Sequence, residues 1–202
     1  MTNGLAQPSK GQSILISDSG CDQSIVTAKA FHIGTRFDQY YDIIGALQGG
    51  RMAATAAFQL VSNATTLATF EDSSCALLTI HQALLDNHPS QHEALLQPYQ
   101  ARHHGVIVND IASCHQNSEG ASGKQNLVFK DPPGTLPLFW DGWKLFFAIS
   151  LPTTDDMNSD LPHYELTSPR PYQPPSSSSL RRRSAKELAL DSQDWQKRLA
   201  YP

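Results

Sequence analysis

Ser13-Ile14-Leu15-Ile16-Ser17-Asp18-Ser19-Gly20-Cys21-Asp22 carries three aliphatic residues in a row into an Asp-Ser-Gly turn. The run is too short for a helix and is stopped at once by turn residues, so it reads as a buried strand entering a tight bend. Ser24-Ile25-Val26-Thr27 is β-rich again, and Asp42-Ile43-Ile44-Gly45 reads as a strand cut short by glycine. Ala56 to Val61 and Thr66 to Phe70 flank the polar quartet Ser62-Asn63-Ala64-Thr65, the pattern of a hairpin, with Ala76 to Ile80 as the next strand. Gly105 to Val108, Leu127 to Phe129, Leu136 to Trp140 and Lys144 to Ile149 extend the series, the last two joined through Asp141-Gly142. Ser90-Gln91-His92-Glu93 fits a capping box and predicts one short helix from Glu93 to about Gln100. Short strands with turn signals between them predict an all-β body.

Composition narrows the function classes. The 202 residues are 40% hydrophobic but only 17% charged, with Ser, Thr, Gln, Asn and Pro in place of the missing charge. That excludes a coiled coil, a supercharged nucleic-acid binder and a chain disordered by charge repulsion. It predicts a small core with long polar loops. The division expected is a loose leader over 1–11, a folded body over 12–150, a Pro/Ser-rich linker over 151–180 and a basic tail with a short helix over 181–202. Residues 180–202 hold six basic against three acidic side chains, whereas the other 179 residues hold nine against sixteen. The tail is therefore the one segment with a charge suited to a weak nucleic-acid contact. Cys21, Cys75 and Cys114 are too few and too scattered for a disulfide framework. The first residues lack an apolar signal core, and no run is long enough for a membrane span. The expectation is an intracellular protein, cytoplasmic or nuclear, with no membrane partner.

The Asp-Ser-Gly turn is the sharpest chemical signal. A strand that delivers Asp18 into a tight turn, followed by Ser19, Gly20 and a small residue, has the form of an aspartic-protease half-site. Two carboxylates held about 3 Å apart cannot both ionise, so they share one proton. One then acts as base on a water while the other polarises the scissile carbonyl. Asp-Ser-Gly occurs once in the chain, so a complete site of this kind needs two copies of the protein.

The order of motifs resembles the retropepsin-like protease region of Copia-type retrotransposon polyproteins. The residues that carry the resemblance are Asp18-Ser19-Gly20-Cys21, Ile43-Ile44-Gly45, the strands over 56–70, Ala76 to Ala83, and Ala94-Leu95-Leu96-Gln97-Pro98-Tyr99-Gln100-Ala101-Arg102. The last segment stands where the family has its Leu-Leu-Ser motif, with Gln97 in place of the serine. Leu161 to Ser168 and Trp195 to Pro202 are similar to the segments leading to the integrase of such polyproteins. The resemblance implies a closed, acid-protease type β-barrel and a homodimeric aspartic endopeptidase acting on a polypeptide. In that reading Asp18 is catalytic, Ser19 and Gly20 shape the turn, Cys21 and Asp22 support it, and no cofactor is needed. The alternative is a non-catalytic retroelement remnant, or a domesticated binding module that keeps the barrel and not the dimer.

Other constellations are weaker. His88, His92, His103, His104, Cys114 and His115 match no zinc spacing, and Pro89 interrupts the first pair. Trp140, Trp143, Phe139, Phe146 and Phe147 cluster across the Asp141-Gly142 turn and read as core packing or a dimer surface rather than a base-stacking platform.

Overall fold

The computed structural model describes residues 12–43, 57–87, 93–110, 125–141, 143–170 and 180–182. In chain order these form β1 (Ser13–Ser17), β2 (Ile25–Thr27), β3 (His32–Ile33), β4 (Arg36–Ile43), β5 (Ala57–Thr69), β6 (Cys75–Asp86) and β7 (Glu93–Leu96). A helix α1 (Pro98–His103) follows, then β8 (Ile107–Asn109), β9 (Asn126–Lys130), β10 (Pro133–Pro137), β11 (Phe139–Trp140) and β12 (Leu145–Ser150). The last described elements are α2 (Thr154–Met157), β13 (His163–Glu165) and β14 (Leu180–Arg182).

Six strands close a barrel in the order β1, β7, β2, β6, β5, β12 and back to β1. The body is thus mostly β, as its turn-punctuated strands predict. Closure removes the open edges that would otherwise pair with other chains. The interior is filled by alternate residues of these strands, among them Leu15, Val26, Ala64, Leu78, Ile80, Leu96, Phe147 and Ile149. Outside the barrel, β4 and β3 pair with β5, β14 with β4, β11 with β12 and β13 with β6, while β8, β9 and β10 make a separate three-stranded sheet.

Three expectations are corrected. Ser62-Asn63-Ala64-Thr65 is not a turn: β5 runs through it without a break, paired to β6 along its length. Its polar groups are satisfied in place, Thr65 Oγ1 against Thr79 Oγ1 at 2.9 Å and the Asn63 carbonyl accepting from Gly34 N–H. The reversal comes at Glu71–Ser74, where Asp72 Oδ1 accepts from both the amide and the hydroxyl of Ser74.

The capping-box helix is also displaced. Glu93 to Leu96 form a strand parallel to β1, and the helix starts at Pro98, after Gln97 as its N-cap. Parallel pairing with β1 buries Ala94 and Leu96 completely, an outcome a solvent-facing helical turn could not match. Pro98 sits at the first helical position, where its missing N–H costs nothing.

The expected linker begins too early at 151. Between 151 and 170 the chain is docked: β13 pairs in parallel with β6, and Tyr164 and Leu166 are buried. Leu77 N–H donates to the Pro162 carbonyl and Leu166 N–H to that of Thr79. Glu165 lies 3.3 Å from His81 and 3.5 Å from His104, joining β13 to the barrel wall and to the end of α1. The Tyr164 ring stacks on Phe70 at 4.6 Å and meets Phe129 at 4.8 Å. Gly134 lets the β10 backbone approach this cluster, since a Cβ there would lie 2.7 Å from the Tyr164 hydroxyl and 2.8 Å from Phe70. A proline-rich segment is thus part of the core, because its apolar residues recur at the strand spacing of two. The leader, Ile44 with the Gly45 and Gly49-Gly50 positions, His88, His92, Cys114, His115 and the tail beyond 182 lie outside the described residues.

Leu166→Ala tests the docking. If residues 151–170 belong to the core, the substitution lowers unfolding stability by about 2–5 kcal/mol in urea denaturation. A linker position leaves it unchanged.

Candidate functional site

β1 and β2 do not pair with each other; β7 lies between them. The connection over residues 18–24 must therefore cross the carboxyl end of β7, a span of two strand spacings, about 10 Å. The crossing is bonded rather than loose. Asp18 N–H donates to the Leu96 carbonyl at 3.0 Å, which continues the β1–β7 ladder by one rung. The Gln97 side chain then reaches from the end of β7 into the loop. Its Nε2 donates to the Cys21 carbonyl, and its Oε1 accepts from Tyr99 N–H at 2.8 Å, capping α1.

A buried serine closes the far side. Gln97 N–H donates to Ser24 Oγ at 3.0 Å, and Ser24 donates through both its amide and its hydroxyl to Gln100 Oε1, at 2.9 and 2.6 Å. Ser24, Gln97 and Gln100 are all buried. Buried polar groups of this kind are costly alone and stabilising when mutually satisfied. Ser24 O accepts from Leu84 N–H, so the same network is tied to β6.

Within this frame Asp18 occupies the turn, half-buried, with Oδ1 accepting from Gly20 N–H at 2.8 Å. A Cβ at Gly20 would stand 3.1 Å from that same oxygen, so the carboxylate would have to give by a few tenths of an ångström. Cys21 packs under the turn, its thiol donating to the Asp18 carbonyl at 2.9 Å. Burial, and next the charge of Asp18, push the Cys21 thiol up to about 12, so it stays protonated and is a packing group rather than a nucleophile. Ser19 is exposed at the turn, and Asp22 is half-buried in the bend beyond.

Asp18 opens onto a cleft of about 620 Å³. Its floor is Ile16 to Ser19, one wall is Leu95, Tyr99 and Arg102, and the other is Trp140, Trp143, Lys144 and Leu145 from the β11–β12 hairpin. Asp110 also lines it, and Arg102 holds that carboxylate at 2.6 Å while donating to the Val108 carbonyl. Lys144 is paired with Glu93 at 2.5 Å. Among the described residues, Asp18 is therefore the one cleft-lining carboxylate that is not neutralised by a cation. Comparisons with protein-family models, with curated proteins and with solved structures return no match to this chain. No described helix is long and apolar enough to cross a membrane.

Asp18, Ser19, Gly20 and Cys21 lie in one turn after β1, and the structure adds bonding roles that motif reading did not assign. Ser24 and Asp110 carry no motif of their own, and Gln100 and Arg102 stand in the segment that carries the resemblance without a role read for either. Gln97-Pro98 did carry a signal, since a polar side chain just before a proline marks a helix start.

Gln97→Leu strands the Cys21 carbonyl and the Tyr99 amide. Chemical denaturation should show a loss of about 1–3 kcal/mol. Gln97→Ser, which keeps a short cap for α1, should lose less.

Proposed function

We propose that this chain is one subunit of a homodimeric aspartic endopeptidase of the retropepsin-like type, descended from a retrotransposon polyprotein and acting on a polypeptide. The observation that carries the reading is Asp18 itself: a carboxylate fixed at a strand end by a backbone N–H, facing a cleft, with no second free carboxylate lining that cleft among the described residues. Asp110 cannot supply the second acid, because Arg102 holds it as an ion pair. A second copy supplies an equivalent Asp18 through a two-fold axis beside the turn.

The chemistry follows from that pairing. Side by side, the two Asp18 carboxyls hold a single proton. The ionised one removes a proton from a bound water, whose oxygen attacks the scissile carbonyl carbon. The protonated one gives its proton to the carbonyl oxygen, yielding a neutral tetrahedral diol. Collapse of the diol breaks the C–N bond, with a proton passing from a carboxyl to the departing nitrogen. The protein's part is to hold two oxygens in fixed relation to one water, which explains why the Asp18 turn is bonded to β7, α1 and β6 at once. No group beyond the two carboxyls takes part.

Asp18→Asn should lower peptide-bond cleavage by more than about 10³-fold while leaving the circular dichroism spectrum and unfolding midpoint nearly unchanged. The wild type should show a bell-shaped pH dependence, failing at low pH when both carboxyls are protonated and at high pH when both are ionised. Cleavage that survives Asp18→Asn excludes the mechanism.

A further inference from the structure

Closure of the barrel leaves β4 outside it, and a strand outside a closed barrel has an edge to cover. β4 pairs with β5 on one side; on the other, Leu180–Arg182 at the start of the basic tail pair with it as β14. The pairing is antiparallel, with Leu180 opposite Ile43, Arg181 opposite Asp42 and Arg182 opposite Tyr41. β4 itself sets that position. Its register with β5 shifts between Arg36 and Tyr40 and then runs regularly through Tyr40, Tyr41 and Asp42. An irregularity of this kind turns an edge away from added strands, so the edge that β4 offers is the regular stretch at its end.

The seat is joined to the cleft by packing. Tyr41, opposite Arg182 in register, and Leu95, a wall of the Asp18 cleft, pack against the same buried trio of Ile25, Leu60 and Leu84. The strength of the β14 pairing follows from its length. Backbone hydrogen bonds give an added strand its affinity, and here only three residue pairs supply them. A few net hydrogen bonds in water correspond to a dissociation constant on the order of millimolar. Residues 171–179 link β14 to the docked segment that ends at Arg170, and a short link of this kind gives an effective concentration on the order of millimolar as well. Two quantities of one size mean that the seat is filled by the chain's own tail and is also readily emptied.

We propose that the Tyr41–Ile43 edge of β4 is a strand-addition site for the Leu180–Arg182 segment, occupied by the chain's own tail and exchangeable for the same segment offered by another molecule. The inference goes beyond the protease reading and does not need it. Opposite formal charges at one register position, Arg181 and Asp42, suit a basic segment. The start of the basic tail then serves as a strand on the protein body rather than as a free cationic arm.

An NMR titration of the full chain with a peptide of residues 178–184 tests this. In an antiparallel ladder alternate residues carry the hydrogen bonds, so at least one of Arg181→Pro and Arg182→Pro removes a rung. That variant should keep the wild-type unfolding midpoint, since β14 lies outside the barrel, while the Tyr41–Ile43 resonances shift. It should bind the peptide at those residues with a dissociation constant of about 1 mM. The wild type, with its seat filled by its own tail, should bind at least about twofold more weakly. The same peptide carrying both prolines should not bind. The inference is overturned if neither proline moves the Tyr41–Ile43 resonances, if the peptide fails to bind the variant at about 10 mM or binds away from β4, or if wild type and variant bind it equally. None of these readings uses cleavage, so they stand or fall apart from the proposed protease activity.

Discussion

The carboxamide of Gln97 is the joint on which the site depends. β7 lies between β1 and β2, so the loop that links those strands has to pass over the end of β7, and its backbone groups lose water as it does so. The Gln97 side chain meets the Cys21 carbonyl on one side and the Tyr99 amide on the other. Ser24 and Gln100 complete the crossing from below. Unpaired, each of these buried groups would cost on the order of 1–3 kcal/mol. Paired, they hold a loop whose own apolar burial is small. The Asp18 turn is held by a crossing whose Gln97, Ser24 and Gln100 Oε1 groups are paired, while the buried Gln100 Nε2 has no partner.

That crossing sets what the cleft can do. Asp18 is aimed by Gly20 N–H, while the other cleft-lining acid, Asp110, is neutralised by Arg102. The result is a single directed carboxylate between an α1 wall and a tryptophan-bearing hairpin. In the proposed reading a second copy supplies the other carboxylate that shared-proton chemistry needs. Asp18 and the exposed side chains of Tyr99, Trp140 and Trp143 thus line one cleft.

Much of the barrel was legible from residues whose pattern and burial agree. Ile14-Leu15-Ile16, the Ala76 to Ile80 run and Leu145 to Ile149 all lie in strands, as short apolar runs that are buried over consecutive residues. Ser62 to Thr65 misled because polarity alone was read as a turn; threonines that bond across a strand pair are equally polar. Glu93 to Leu96 misled because a capping-box pattern says nothing about a parallel partner eighty residues away in the chain. Residues 163–167 fall in the linker expected over 151–180 because of the prolines around them, whereas the alternation of Tyr164 and Leu166 decides their burial. Asp18, Gly20 and Cys21 were legible as a site because a turn motif is local. The partners that fix the turn, Gln97, Ser24 and Gln100, are long-range, and although Gln97-Pro98 marks a helix start, nothing in the sequence ties it or the others to the Asp18 turn.

The account stands on two Asp18 carboxyls, one from each chain, acting as one site. Mixing wild-type chains with Asp18→Asn chains at constant total concentration, allowing subunits to exchange, and measuring cleavage tests this directly. If both carboxyls are needed, activity follows the square of the wild-type fraction, so an equal mixture retains about a quarter of the wild-type rate. Activity that falls in simple proportion, with about half retained, would mean that each chain works alone and would contradict the shared site.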